Sequence, residues 1–210
     1  QLDEGMHGTD DAIHARHQEA LTQAKQRVAE AQNALQAAQT AYDNYVNLGT
    51  NTLVSVRVAP ATYTGSALKP DITVEVDGEV LNQGTDFTVG SYANNTNAGT
   101  GSLVVSGIDT WKGVRTVEFT IEPKSISLAS VTGIENKTYS GEELTQTLTV
   151  KDDGVTLREG QDYTVEYSSN TNVGTARLAV VGKGNYTDTL SSSFEILPVS
   201  IVGIVPESYD

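Results

Sequence analysis

The feature that most constrains this chain is an internal repeat. Tyr63-Thr64-Gly65 returns as Tyr139-Ser140-Gly141, 76 positions later, and Gly84-Thr85-Asp86-Phe87-Thr88-Val89 returns as Gly160-Gln161-Asp162-Tyr163-Thr164-Val165 at the same offset. From Asn95-Thr96-Asn97-Ala98-Gly99-Thr100 onward, matched by Asn170-Thr171-Asn172-Val173-Gly174-Thr175, the offset is 75. Gly107 pairs with Gly182, Trp111 with Tyr186, Phe119 with Phe194, Ile121 with Ile196 and Pro123 with Pro198 at that offset. The first copy therefore holds one extra residue near Gly90-Ser91, where a bulge is expected. A fixed period read twice in one order marks two copies of one structural unit, so one module fold must serve both.

Within each copy the apolar period is two. Asp71 to Val76 alternates polar and apolar, and Asp77-Gly78 then supplies a tight hairpin turn. Leu103 with Val105 and Phe119 with Ile121 alternate likewise, as do Leu148 with Val150, Leu178 with Val180 and Phe194 with Ile196 in the second copy. Six or seven short strands per copy predict a small antiparallel sandwich. Pro123 and Pro198 fall just after the last strand of each copy, where proline ends a ladder and stiffens the link.

Before residue 50 the pattern changes. Leu21, Ala24, Val28, Ala31, Leu35, Ala38, Tyr42 and Tyr45 step by three and four, which is a heptad seam. A helix over 11–49 is expected, capped by Thr9 or Asp10 and stopped by a left-handed Gly49, with a length of about 57 Å. Its seam wants a partner: an upstream helix, a second chain or the flank of the first β module. The organisation read from the sequence is a connecting segment at 1–10, the helix at 11–49, β repeats at 50–124 and 125–199, and the start of a third repeat at 200–210. The last rests on the likeness of Ile204-Val205-Pro206-Glu207-Ser208-Tyr209 to Val58-Ala59-Pro60-Ala61-Thr62-Tyr63, and suggests an excerpt of a longer array.

The net charge of −14, from 27 acidic and 13 basic residues, argues against nucleic-acid and membrane-surface partners. No apolar run reaches the roughly 20 residues that span a bilayer, and Gln1 to Asp11 lacks the features of a signal peptide, so the signal of a secreted parent is expected upstream. With no cysteine, the modules must fold on packing and hydrogen bonds alone.

Catalytic signatures are missing from the repeats, which hold no histidine, no phosphate loop and no shared lysine for an isopeptide cross-link. His14 and His17 share a helix face, yet lack a third ligand of evident placement and read as solvated. Asp86 and Asp162 read as turn residues that accept backbone N–H bonds, the Asn-Thr-Asn triplets as Asx turns, and the shared glycines as turn geometry. No dense Asp-x-Asp spacing indicates calcium. No enzyme, cofactor or metal site is expected.

The string Tyr63-Thr64-Gly65, Gly84 to Val89, Asn94 to Thr100, Gly107 and Phe119-Thr120-Ile121, with its second copy and Gly182-Lys183-Gly184-Asn185-Tyr186-Thr187, resembles the bacterial immunoglobulin-like repeats of Gram-positive cell-surface and secreted proteins. It is similar to the group called MBG or YDG repeats, over residues 53–210, and Ser208-Tyr209-Asp210 fits the start motif of that group. The resemblance implies two immunoglobulin-like sandwiches behind one helix, an extracellular, cell-surface or cell-wall location, and a spacer or adhesion role beside other domains of one parent chain. It transfers no catalytic residue. The first copy departs in having Trp111-Lys112-Gly113 where the second has Tyr186-Thr187-Asp188, which makes Trp111 and Tyr186 candidate contacts for a glycan or protein, with Tyr92 and Tyr167 as further aromatics.

Overall fold

A computed structural model describes residues 3–200. The expected third-repeat start falls almost wholly outside them. Helix α1 runs Asp3–Tyr45, beginning before the expected cap although Gly5 and Gly8 stand in its first turns. It also ends before the expected Gly49 stop. Residues 10–45 are exposed throughout, and the seam residues Leu21, Val28 and Leu35 are 49%, 56% and 71% accessible. Among the described residues, then, no flank of the β module covers the seam. No described helix is long and apolar enough to cross a membrane.

The rest of the described chain is β structure. The first repeat contains β1 Val54–Val58, β2 Ala61–Thr62, β3 Ile72–Val76, β4 Glu79–Val80, β5 Phe87–Ala93, β6 Gly99–Gly107 and β7 Val114–Glu122. The second contains β8 Lys124–Ser125, a 3-10 turn Ile126–Leu128, β9 Ser130–Thr132, β10 Lys137–Thr138, β11 Thr149–Asp152, β12 Val155–Thr156, β13 Tyr163–Ser168, β14 Gly174–Gly182, β15 Tyr186–Thr187 and β16 Thr189–Leu197. Each repeat forms a three-stranded sheet, β1-β3-β4 or β12-β11-β9, and a four-stranded sheet, β2-β7-β6-β5 or β10-β16-β14-β13. The extra residue of the first copy lies in β5, which has seven residues against six in β13.

The strands are not all antiparallel as the sequence led us to expect. Short β2 and β10 pair parallel with the last strand of their own repeats, Ala61 opposite Ile121 and Lys137 opposite Ile196. A two-residue strand separated by most of the module from its partner can approach it in either direction, and the hydrophobic pattern does not encode which. The hairpins do follow the sequence. Asp77-Gly78 and Asp153-Gly154 all have positive φ, 51° and 84° in the first pair and 47° and 84° in the second, the two-residue turn matched to strand twist.

The chain divides into two compact units. One comprises residues up to Val56 with Val74–Gly90 and Val104–Arg115; the other comprises Arg57–Thr73, Ser91–Leu103 and the residues from Thr116 on. The division passes through the first repeat. In the second unit one core brings Val150 and Leu157 together with Tyr163, Leu178, Val180, Phe194 and Ile196, so both sheets of the second repeat face the same apolar layer. The matching positions of the first repeat, Val74, Leu81, Phe87, Leu103, Val105, Phe119 and Ile121, are buried as well.

The recurring polar residues close the loops. Asp86 Oδ2 accepts the Asn82 N–H at 2.7 Å, and Asp162 Oδ2 accepts the Arg158 N–H at 2.8 Å. The first asparagine of each triplet does more than make a local Asx turn. Asn95 Nδ2 donates to Leu68 O at 2.7 Å while Leu68 N–H donates back to Asn95 O; Asn170 and Leu144 repeat this, with the side-chain bond at 3.1 Å. Each asparagine thus ties its loop to a chain segment more than twenty residues away. Gly107 and Gly182 serve close approach and not a left-handed turn, since a Cβ on Gly182 would lie 2.6 Å from Thr187 O.

Asn170 is 8% exposed. Its replacement by alanine leaves the Leu144 carbonyl without its side-chain donor and is expected to lower stability by about 1–3 kcal/mol. Urea unfolding of the intact chain, read as a lower midpoint at unchanged slope, checks this.

Candidate functional site

The two candidate contacts, Trp111 and Tyr186, lie at the tips of the repeats, the short segments that follow β6 and β14. Each tip receives the chain segment that precedes its repeat. At the first tip Asn47 pairs parallel with Lys112, Lys112 N–H donates to Val46 O at 2.7 Å, and Leu48 N–H donates to Lys112 O at 2.8 Å. At the second, β8 pairs parallel with β15, Lys124 opposite Tyr186 and Ser125 opposite Thr187. Since Lys112 corresponds to Thr187, Asn47 corresponds to Ser125 and Val46 to Lys124. The helix end and the end of the first repeat thus enter the following tip by the same backbone device.

The first joint explains where the helix stops. Pairing with Lys112 takes up the Val46 carbonyl and the Leu48 N–H, so the helix does not continue past them, and both residues are buried. Asn51 supplies the donor that the helix end lacks: its Nδ2 bonds Tyr45 O at 2.6 Å, and its Oδ1 accepts from Leu53 N–H. Arg115 closes the loop from its other side, Nε to Leu48 O at 2.7 Å and Nη2 to Asn51 O at 2.9 Å. Gly49 is not left-handed; a Cβ there would lie 2.7 Å from Val114 O, so closeness is what requires the glycine.

The second joint is held by charge. Lys124 Nζ reaches Asp152 Oδ2 and Asp153 Oδ2, each at 2.7 Å, and the Asp152 carboxylate also accepts from the Tyr186 hydroxyl at 3.2 Å. Bonds from Asp152 and then Asp153 hold the Lys124 ammonium charged well above the usual lysine range. A lysine held between two carboxylates is an ionic clamp across the joint. Burial, followed by the Asp152 charge, raises the Tyr186 phenol above its ordinary value. Two further groups complete the joint. Asn185 Oδ1 accepts the Ala98 N–H at 2.8 Å while its Nδ2 donates to Asn97 Oδ1 at 3.1 Å. The Tyr63 and Tyr186 rings meet edge to face with centroids 5.6 Å apart.

The two candidate contacts therefore occupy matching places with different freedom. Tyr186 is 7% exposed, its ring engaged by Tyr63 and its hydroxyl by Asp152. Trp111 is half-buried, its ring 5.8 Å from that of Tyr45. The Tyr167 hydroxyl accepts from Gln146 N–H at 2.9 Å and its ring borders the second core; Tyr92 is half-buried. His14 and His17 are exposed on α1, and the described residues contain no group of three or more metal-ligating side chains. Sequence reasoning missed Lys124, Asn185 and Arg115. Lys124 has no lysine at its counterpart, so a search restricted to shared residues passes over it. No family model, curated protein or solved structure matches the chain.

Both raised values give one sign. Lys124 and Tyr186 hold their protons more tightly folded than unfolded, so their contribution is complete below the ordinary values of 10.5 and 10.0 and is lost as pH rises through the raised ones. Urea unfolding is expected to show this contribution unchanged up to about pH 9 and stability falling as pH rises above about 10. Lys124→Met should flatten that fall and lower stability near neutrality by about 1–2 kcal/mol, since it leaves Asp152 and Asp153 without their cation.

Proposed function

We propose that this chain is a non-catalytic spacer: a helix and two immunoglobulin-like repeats of the MBG or YDG type, from a bacterial extracellular or cell-wall-attached protein, holding an adhesive or enzymatic domain away from a surface. The observation that carries this reading is the use made of the recurring polar residues. Asp86 and Asp162 close turns, and Asn95 and Asn170 tie loops. Beside them, the non-recurring Asn185, Lys124 and Tyr186 join one repeat to the next. A ligand site repeated in each module would instead leave recurring polar or aromatic groups turned to solvent.

A joint with backbone pairing, an ion clamp and an aromatic contact limits the swing of one module on the next, as a spacer requires. The absence of cysteine fits a cytoplasmic or a Gram-positive exterior location equally and leaves such contacts to hold the repeats together. The acidic surface supports solubility and disfavours nucleic-acid partners.

The second reading is an adhesion module that binds a glycan or protein. Trp111 favours it, because its ring retains exposure where Tyr186 has almost none. A glycan array probed with the labelled intact chain separates the two. The spacer reading expects no saturable binding; saturable binding that Trp111→Ala abolishes, with unchanged thermal unfolding, would establish the adhesion reading instead.

A further inference from the structure

We propose that the exposed end face of the second repeat, formed by Tyr139, Asn172, Val173 and Leu197, is a socket for the tip of a further repeat of this kind. This rests on the spacer reading and deepens it by naming the partner and its chemistry.

The argument begins at the joint already described. There the end face of the first repeat presents Tyr63 to the Tyr186 ring, the Ala98 N–H to Asn185 Oδ1, and Asn97 Oδ1 to Asn185 Nδ2. Tyr139, Val173 and Asn172 hold the same places in the second repeat. Their backbone is already set in the same form. Gly65 and Gly141 have φ of 80° and 84°, and a Cβ on either would lie 3.9 Å from the hydroxyl of its own tyrosine. Gly99 and Gly174 have φ of 125° and 130°, and the loop clasps of Asn95 and Asn170 match. The second end face is thus built like the first, yet Tyr139, Val173, Leu197 and Val199 are 39%, 53%, 48% and 57% exposed. Continuity with the joint one repeat earlier identifies what covers them: a tip carrying an Asn-Tyr pair.

The segment leaving the second repeat also specifies its partner's side chains. The two joints share a backbone but differ in one pair of positions. Val46 and Val76, both buried, stand at the first joint where Lys124 and Asp152 stand at the second. An aspartate in the place of Asp152, whose side chain is 13% exposed, would keep little solvent and no cation opposite a valine, so an apolar lysine-position residue calls for an apolar partner. Val199 occupies the lysine position after Pro198. The incoming repeat therefore carries an apolar residue in place of Asp152, and this joint, unlike the lysine joint, should not vary with salt.

The test appends to residues 1–200 a second copy of residues 126–198 carrying Asp152→Val, and reads hydrogen exchange at single amides. The Val173 N–H is expected to exchange roughly tenfold more slowly than in the unextended chain, the factor that one hydrogen bond of about 1.4 kcal/mol gives. That protection should vanish when Asn185→Ala is made in the appended copy alone and should fall when the appended copy keeps Asp152. Ala98, protected by the original Asn185, serves as the internal control throughout. Unchanged Val173 exchange beside an appended copy whose strand amides are protected would overturn the proposal, as would an appended copy that does not fold at all, since the same sequence folds after Pro123. Glycan binding of the unextended chain is a separate measurement, so failure of the socket and failure of the spacer reading are distinguishable.

Discussion

Parallel addition of an entering chain to a repeat tip is the interaction on which the rest of this structure depends. A parallel bridge of two or three residues is weak by itself and occurs only where something else fixes both partners. Here the tip is fixed by backbone lying against backbone, Gly182 on Thr187 and Gly107 on Trp111, at distances that exclude a Cβ. The entering segment is fixed by side chains on either side of it, Asn51 and Arg115 at the first tip and the Lys124 clamp at the second. The helix end, the start of each module and the placing of the tip aromatics all follow from that arrangement.

A module of this size buries too little apolar surface to be comfortably stable without help, and this chain has no cysteine to cross-link. Its answer is to let polar side chains tie distant backbone segments. Asn170 reaches Leu144, Tyr167 reaches Gln146, and Asp162 holds the Arg158 turn. Each tie removes loop freedom at the same time as it satisfies a backbone group, which is why these residues recur in both copies although none lies in the apolar core. The joint between the repeats extends the same logic across a module boundary, with Asn185 bonded to both Asn97 and the Ala98 amide.

Much of the candidate site was present in the sequence without being readable there. Trp111 and Tyr186 stood out because they align, and the structure places both at tips; nothing in the repeat tells that Tyr186 meets Tyr63 while Trp111 meets Tyr45. Asn185 aligns with Thr110 and Lys124 with no lysine, so comparison of copies hid the two residues that hold the joint. The helical periodicity of α1 was legible in the sequence but its bounds were not: the helix ends at Tyr45, where Lys112, more than sixty positions away, takes the Val46 carbonyl and the Leu48 N–H.

The sequence by itself determined the repeat, the alternation that buries Leu103, Phe119, Leu178 and Phe194, the Asp-Gly hairpins and the long helix. These depend on local periodicity and on turn chemistry, which act between near neighbours and are written in order along the chain. Only the tertiary structure decided the parallel seating of β2 and β10, the tip that receives each entering segment, and the exchange of a valine pair for a lysine and an aspartate between joints. Those features join residues far apart in the chain, where a pairing is selected by packing and by the need to satisfy charge, and neither leaves a periodic trace.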